Sequence, residues 1–127
     1  MTDVELTGTL SRDQVAIQMS RASVMVLPSV EEGLAMVQAQ ALACGCPVIA
    51  TVNSGAEDLF ENGLEGFIVP IRAPETIAQA LALLYRERDL LHAMSQAARQ
   101  RMETIGGWNR YGDRILALFD RLLDEEP

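Results

Sequence analysis

The sequence contains no lysine: its ten basic residues are all arginine, set against 18 acidic ones for a net charge of −8. Without lysine there is no Walker-type phosphate loop and no Schiff-base nucleophile. The acidic balance argues against a nucleic-acid surface, because counterion release needs a basic face. Cysteine is scarce as well. Cys44 and Cys46 stand one residue apart, with His92 as the one histidine, so a zinc site is not expected and both read as small packing residues in a reducing compartment. No apolar run approaches the ~20 residues of a membrane span. The N-terminus has no basic stretch followed by an apolar one, so no signal peptide is expected and a cytoplasmic location is. At 127 residues the chain has one domain's worth of length, too little for two domains with a cleft between them.

What is present alternates between short β-branched runs and helical periods. Strands are expected at Val4–Thr7, Ser23–Leu27, Pro47–Thr51 and Gly66–Val69, the continuous apolar runs suiting strands buried on both faces. Helices are expected after Ser11 as N-cap, from Leu34 to Cys44 with Gly45 closing it, and as a short turn from Ala56 to Phe60. Residues 74–127 read as a helical C-terminal portion: Pro74 opens a first helix, a second runs from Leu90 to about Ile105, and a last runs from Trp108 to Leu123, with the Trp108 ring as its anchor. His92 reads as a surface or packing residue. There is no internal repeat. The prediction is an α/β fold: a parallel sheet of about four strands with helices on both faces and a helical tail. The chain has no Gly-rich first β-α turn, so residues 1–127 read as a single partial domain, the second half of a doubly wound one.

In such sheets ligands gather at the C-terminal strand ends. That points to Pro28–Leu34, to Thr51–Ala56 and to the loop after Gly8. Between Ala22 and Ala56 the charged residues are Glu31 and Glu32, adjacent and just before an apolar helix. One reading is capping, with Ser29 or Glu31 terminating the helix under its dipole. The other is a ligand site, with Gly33 admitting close backbone approach and the Leu34 and Ala35 amides open to a phosphate. Carboxylates beside an anion site suit a ligand with phosphates and hydroxyls, such as a nucleotide sugar. The loop through Ser54 and Gly55 lies beside it, or is a plain turn with Ser54 as N-cap.

The stretch PSVEEGLAMVQAQALACGCPVIATVNSGAEDLFENGLEGFIVP resembles the signature region of retaining GT-B glycosyltransferases of family 4. The family runs Pro-Ser, Glu-Gly-Phe-Gly, Glu-Ala-Met-Ala-Cys-Gly, Pro-Val-Ile-Ala, a Gly-Gly loop and Asn-Gly-x-x-Gly. The likeness continues through PETIAQAL and SQAARQRM to Trp108 and covers essentially the whole chain. It implies the C-terminal, Rossmann-like part of a GT-B enzyme. By that resemblance Glu32 is the catalytic-site carboxylate at the donor sugar. Glu31, Gly33, Leu34, Ala35, Ser54 and Gly55 belong to the donor-binding loops. The family's second glutamate falls at Gln40, which can still meet a ribose hydroxyl but cannot accept from two as a carboxylate does. Leu34-Ala35 replaces the usual Phe-Gly.

The resemblance implies a nucleotide-sugar donor such as a UDP- or GDP-sugar, no metal and no other cofactor. It also implies that the diphosphate-neutralising cations and the N-terminal acceptor domain lie outside these residues, so the chain is expected to be inactive alone. A different class stays open beside it: a non-catalytic α/β module that pairs with a partner or forms a homodimer through an exposed sheet edge or a swap.

Overall fold

In the computed structural model, which describes residues 3–125, the sequence alternation becomes a small three-layer α/β unit with a helical tail. The elements run α1 (Arg12–Arg21), β1 (Met25–Leu27), α2 (Met36–Ala43), β2 (Val48–Thr51), a 3₁₀ turn (Ala56–Asp58), β3 (Gly66–Val69), α3 (Pro74–Arg86), α4 (Arg88–Ile105) and α5 (Trp108–Asp124). The sheet is parallel in the order β1-β2-β3, with Val26 beside Ile49 and Ile49 beside Phe67.

Strand alternation sends the two sets of apolar side chains to opposite layers. Met25, Leu27, Val48, Ala50 and Ile68 pack with Met19 of α1 and with Ala41 and Leu42 of α2. Val26, Ile49, Phe67 and Val69 pack with Leu84 of α3 and Met94 of α4. Helix α4 is long enough to serve both layers, since Met94 joins the second cluster while Ala98 and Met102 join the first. Buried on both faces, β2 is inaccessible along its whole length, as the continuous run PVIAT predicts.

Local signals placed several boundaries. Ser11 and Gln14 form a reciprocal capping box at α1. Pro74 occupies the first turn of α3, where its missing N–H costs nothing. Gly45, with φ +72°, follows the C-cap of α2 in the left-handed conformation.

The expected first strand does not form. Residues 4–7 are extended chain outside the sheet, with Val4 and Leu6 exposed, so the sheet has three strands among the described residues. The Val4-Glu5-Leu6-Thr7 alternation supplies two apolar side chains, too few to bury a face. The Trp108 ring lies outside the described residues. The rest of α5 is exposed along its apolar stripe, including Leu116, Phe119, Leu122 and Leu123.

One buried ion pair ties the sheet to α4, and nothing in the sequence pattern announced it. Glu65, 2% exposed, accepts from Arg101 Nε at 2.8 Å and from the Glu61 amide at 2.9 Å. Removing Arg101 leaves a buried carboxylate with one protein donor. Arg101→Ala is therefore expected to destabilise the chain by roughly 2–3 kcal/mol, somewhat below the usual cost because the Arg101 side chain is partly exposed. Urea unfolding measures this, and the double change Arg101→Met with Glu65→Leu is expected to restore most of the loss.

Both cysteines are free thiols, and Cys46 is fully buried. Burial, helped by the neighbouring Cys44, pushes the Cys46 thiol up to about 11 from 9.0. The folded chain thus holds a proton that the unfolded chain releases first. Stability should fall as pH rises from about 9 towards 11, and Cys46→Ala should flatten that decline in thermal melts taken across the same range.

Candidate functional site

The site is made of two loops at the C-terminal ends of β1 and β2. The first runs over residues 28–35 and leads into α2; the second runs over residues 52–55 and leads into the 3₁₀ turn. Five hydrogen bonds join these loops and the elements that flank them, three of them directly between the loops. Thr51 Oγ1 donates to the Ser29 carbonyl at 2.6 Å, and Asn53 Nδ2 donates to the Val30 carbonyl at 3.1 Å. The Glu32 amide donates to the Asn53 carbonyl at 2.9 Å, and the Ala35 amide to the Ser54 carbonyl at 3.3 Å. Gln38 Nε2 donates to the same Ser54 carbonyl at 2.8 Å.

Gln38 and Ser54 are fully buried, so this last contact is made away from water, where leaving a partner unpaired is expensive. The side chain of Ser54 does not cap the following turn. Its Oγ donates to the Thr51 carbonyl at 2.7 Å, and the capping position belongs to Gly55. Gly55 sits at φ +75°, and a Cβ there would stand 3.0 Å from both Cα and Cδ1 of Leu34. The second loop therefore backs directly onto the first, through a residue that only glycine suits.

The two carboxylates remain exposed. Glu32 is held in place by Ser29 Oγ, which donates to its Oε2 at 2.8 Å; Glu31 lies beside it, also exposed. The capping reading is corrected here. The N-cap of α2 is Ala35, with no side chain closing it, and neither Ser29 nor Glu31 reaches the helix amides. The helix also begins at Met36 rather than Leu34, because Ala35 is held extended by its bond to Ser54.

The same bond removes Ala35 from the set of open amides. Among the described residues, the amides of Gly33, Leu34, Met36 and Val37 have no acceptor. They lie at the positive end of the α2 dipole, with open space around Gly33. Gln40 is exposed one turn beyond Met36, on the same side of the helix. So Glu31, Glu32, Gly33 and Leu34 share the rim, Gln40 stands one turn along α2, and Ala35, Ser54 and Gly55 are the frame behind it.

Thr51 and Asn53 lie in the polar segment that the sequence pointed to, without a role assigned to either, and Gln38 was missed. Its signal was a polar side chain in the apolar stretch of α2.

A groove of about 520 Å³ adjoins this rim. Its lining includes Leu34 and Met36 from the start of α2, Leu59, Met102 of α4, and Tyr111 and Arg114 of α5. No group of three or more His, Cys, Asp or Glu side chains converges as a metal site among the described residues. Nor, among these residues, is any helix long and apolar enough to cross a membrane.

Comparison with known proteins accords with the α/β fold. Residues 2–101 match the family model described as glycosyl transferases group 1. An uncharacterized glycosyltransferase of Methanocaldococcus jannaschii is 26% identical over 124 residues, covering 98% of this chain and 35% of that protein. Sucrose-phosphate synthase from Thermosynechococcus elongatus superposes with a TM-score of 0.87 at 24% identity, over 98% of this chain and 31% of the synthase. Anabaena HepE, solved in complex with UDP-glucose, superposes with a TM-score of 0.66 at 22% identity, over 70% of this chain and 25% of HepE. The chain thus spans about a third of the length of the first two proteins and a quarter of the third.

The junction of the two loops is the part most open to attack by mutation. Gly55→Ala combines a left-handed φ with a crowded Leu34 and is expected to cost roughly 1–3 kcal/mol. The accompanying amide shifts should concentrate in residues 32–36, which a heteronuclear NMR spectrum reads directly.

Proposed function

The chain belongs to the glycosyl transferases group 1 family, and on that premise we propose that it forms the nucleotide-sugar-binding part of a retaining glycosyltransferase. The observation that carries the reading is the row of open amides at Gly33, Leu34, Met36 and Val37 beside the Glu32 carboxylate. Amides at a helix start stabilise negative charge without a metal ion or a lysine. A carboxylate next to them would repel a bare phosphate, yet it accepts well from sugar hydroxyls. A donor with a diphosphate at one end and a hexose at the other satisfies both halves of the rim. The UDP-glucose bound by HepE has that chemistry.

In this reading Glu32 orients the donor sugar through its hydroxyls, and the Ser29 hydroxyl keeps the carboxylate on the rim. Glu31 adds acceptor capacity beside it. The Gly33 and Leu34 amides, with those of Met36 and Val37, hold diphosphate oxygens. Ala35, Ser54 and Gly55 act behind them by fixing the loops. Gln40 offers its amide to a ribose hydroxyl. The sugar passes to an acceptor hydroxyl presented by a further domain, in keeping with relatives about three times longer than this chain. The diphosphate's negative charge is then neutralised largely from outside these residues, which predicts weak donor binding by the 127 residues alone.

The reading is tested by titrating the chain with UDP-glucose, UDP and uridine while following backbone amides by NMR. UDP and UDP-glucose are expected to shift Gly33, Leu34, Met36 and Val37 saturably in the millimolar range, and uridine is not. Glu32→Gln should weaken UDP-glucose several-fold and leave UDP unchanged. Equal weakening of both ligands, or shifts that avoid these amides, contradicts the assignment.

A second reading, a module that associates with itself, is favoured by one observation. Helix α5 exposes Leu116, Phe119, Leu122 and Leu123, an apolar face with no cover among the described residues. Homodimers through that face, or through the edge of β1, would show in sedimentation at tens of micromolar. A single species at the 13.9 kDa monomer mass counts against it.

A further inference from the structure

We propose that a second groove, at the opposite end of the sheet from the candidate donor site, binds a small organic phosphate. The groove lies where Ser23 leads into β1 and Cys44 and Gly45 lead towards β2. It is a largely open depression of about 380 Å³. In a chain of net charge −8, no carboxylate lines it. Arg88, His92 and Arg99 do.

These three residues follow from one helical stripe. Arg88, His92, Ser95 and Arg99 succeed one another along α4 at intervals of four, three and four residues, so they share one side of the helix. Arg88, His92 and Arg99 are exposed, and the stripe forms a wall of the groove that Ser20, Ala22 and Ser23 also line.

The wall is held in place. Ser95 Oγ donates to the Gly45 carbonyl at 2.6 Å, which ties α4 to the loop before β2. The Arg99 guanidinium lies in the space that a Cβ of Gly45 would fill, with Cζ and Nη2 each 2.9 Å from that position. Arg88 stacks at 5.6 Å from the centroid of the Tyr85 ring. Neither arginine has an ion-pair partner among the described residues, whereas Arg101 on the same helix pairs with Glu65 and Glu61. Both guanidinium groups are exposed, and their hydrogen-bonding edges have no ion-pair partner among the described residues.

The donors available to a ligand define its class. Guanidinium forks match phosphate oxygens bidentately. The Ser23 hydroxyl has no partner among the described residues and can meet a ligand hydroxyl. The hydroxyl protons of Ser20 and Ser95 are already committed to the Ala16 and Gly45 carbonyls. The Cα atoms of Arg88 and Arg99 are about 16 Å apart by helix rise, so the two guanidinium groups do not meet on one phosphate but face opposite ends of a ligand, one for a phosphate and the other for hydroxyls. A phosphorylated sugar, with one charged end and a hydroxylated ring, fills that description.

The test titrates the intact chain with glucose 6-phosphate, with inorganic sulfate at matched ionic strength, and with vesicles containing phosphatidic acid. Amides around Ser23, Gly45 and Ser95 are followed by NMR and vesicle binding by co-flotation. Glucose 6-phosphate is expected to bind saturably and at least tenfold more tightly than sulfate. Arg88→Gln with Arg99→Gln, both at exposed positions, should weaken it at least tenfold while the UDP-glucose titration of the donor site stays unchanged. Equal affinity for sulfate, or persistence of binding in the double variant, overturns the proposal. So does arginine-dependent binding to vesicles without binding of the free sugar phosphate, which would make the groove a lipid-headgroup site instead.

Discussion

The candidate site depends on the Ser54 carbonyl. It accepts from the Ala35 amide and from Gln38 Nε2, and through those two bonds the loop after β2 dictates where α2 begins. If Ala35 were released, α2 could start earlier and its open amides would move along the chain. Because Ala35 is held, the free donors are those of Gly33, Leu34, Met36 and Val37, set beside Glu32. The other inter-loop bonds, from Thr51, Asn53 and the Glu32 amide, support the same junction. A buried glutamine with one amide bond made and its Oε1 left without a protein partner marks how much the fold commits to this contact.

On the proposed function, a chain without lysine and with an excess of acid has to stabilise its donor's phosphates at this rim by means other than a nearby lysine. Backbone amides at a helix start do so, because their partial charges are fixed by the fold and need no counter-ion. The proposed role of the carboxylate beside them is that of a filter, which disfavours bare anions and accepts hydroxyls. At the other end of the sheet the proposed site relies on arginines gathered along one side of α4. The two ends of a three-stranded sheet thus present different chemistry within a single small unit.

Much of this was legible in the sequence. The apolar runs located β1, β2 and β3, Ser11 as N-cap and Pro74 located helix starts, and the C-terminal strand ends located the two loops. What escaped did so for definable reasons. Residues 4–7 alternate like a strand, but a strand also needs a neighbour and a covered face, neither of which alternation reveals. Ser54 has the composition of an N-cap, yet its hydroxyl turns back to Thr51, because Gly55 can take the left-handed conformation that starts the next turn. Ala35 looks like an open amide until the facing carbonyl is known. Glu65 and Arg101 are 36 residues apart, and no local pattern links them.

The central claim is that the diphosphate of a nucleotide sugar rests on the α2 amides that the Ser54 contact leaves open. A crystal structure of the chain soaked in UDP-glucose tests it most directly. The account predicts phosphate oxygens about 3 Å from two or more of the Gly33, Leu34, Met36 and Val37 nitrogens, with the hexose hydroxyls on Glu32. Phosphates seated elsewhere, or an Ala35 amide turned from Ser54 to the ligand, would contradict it.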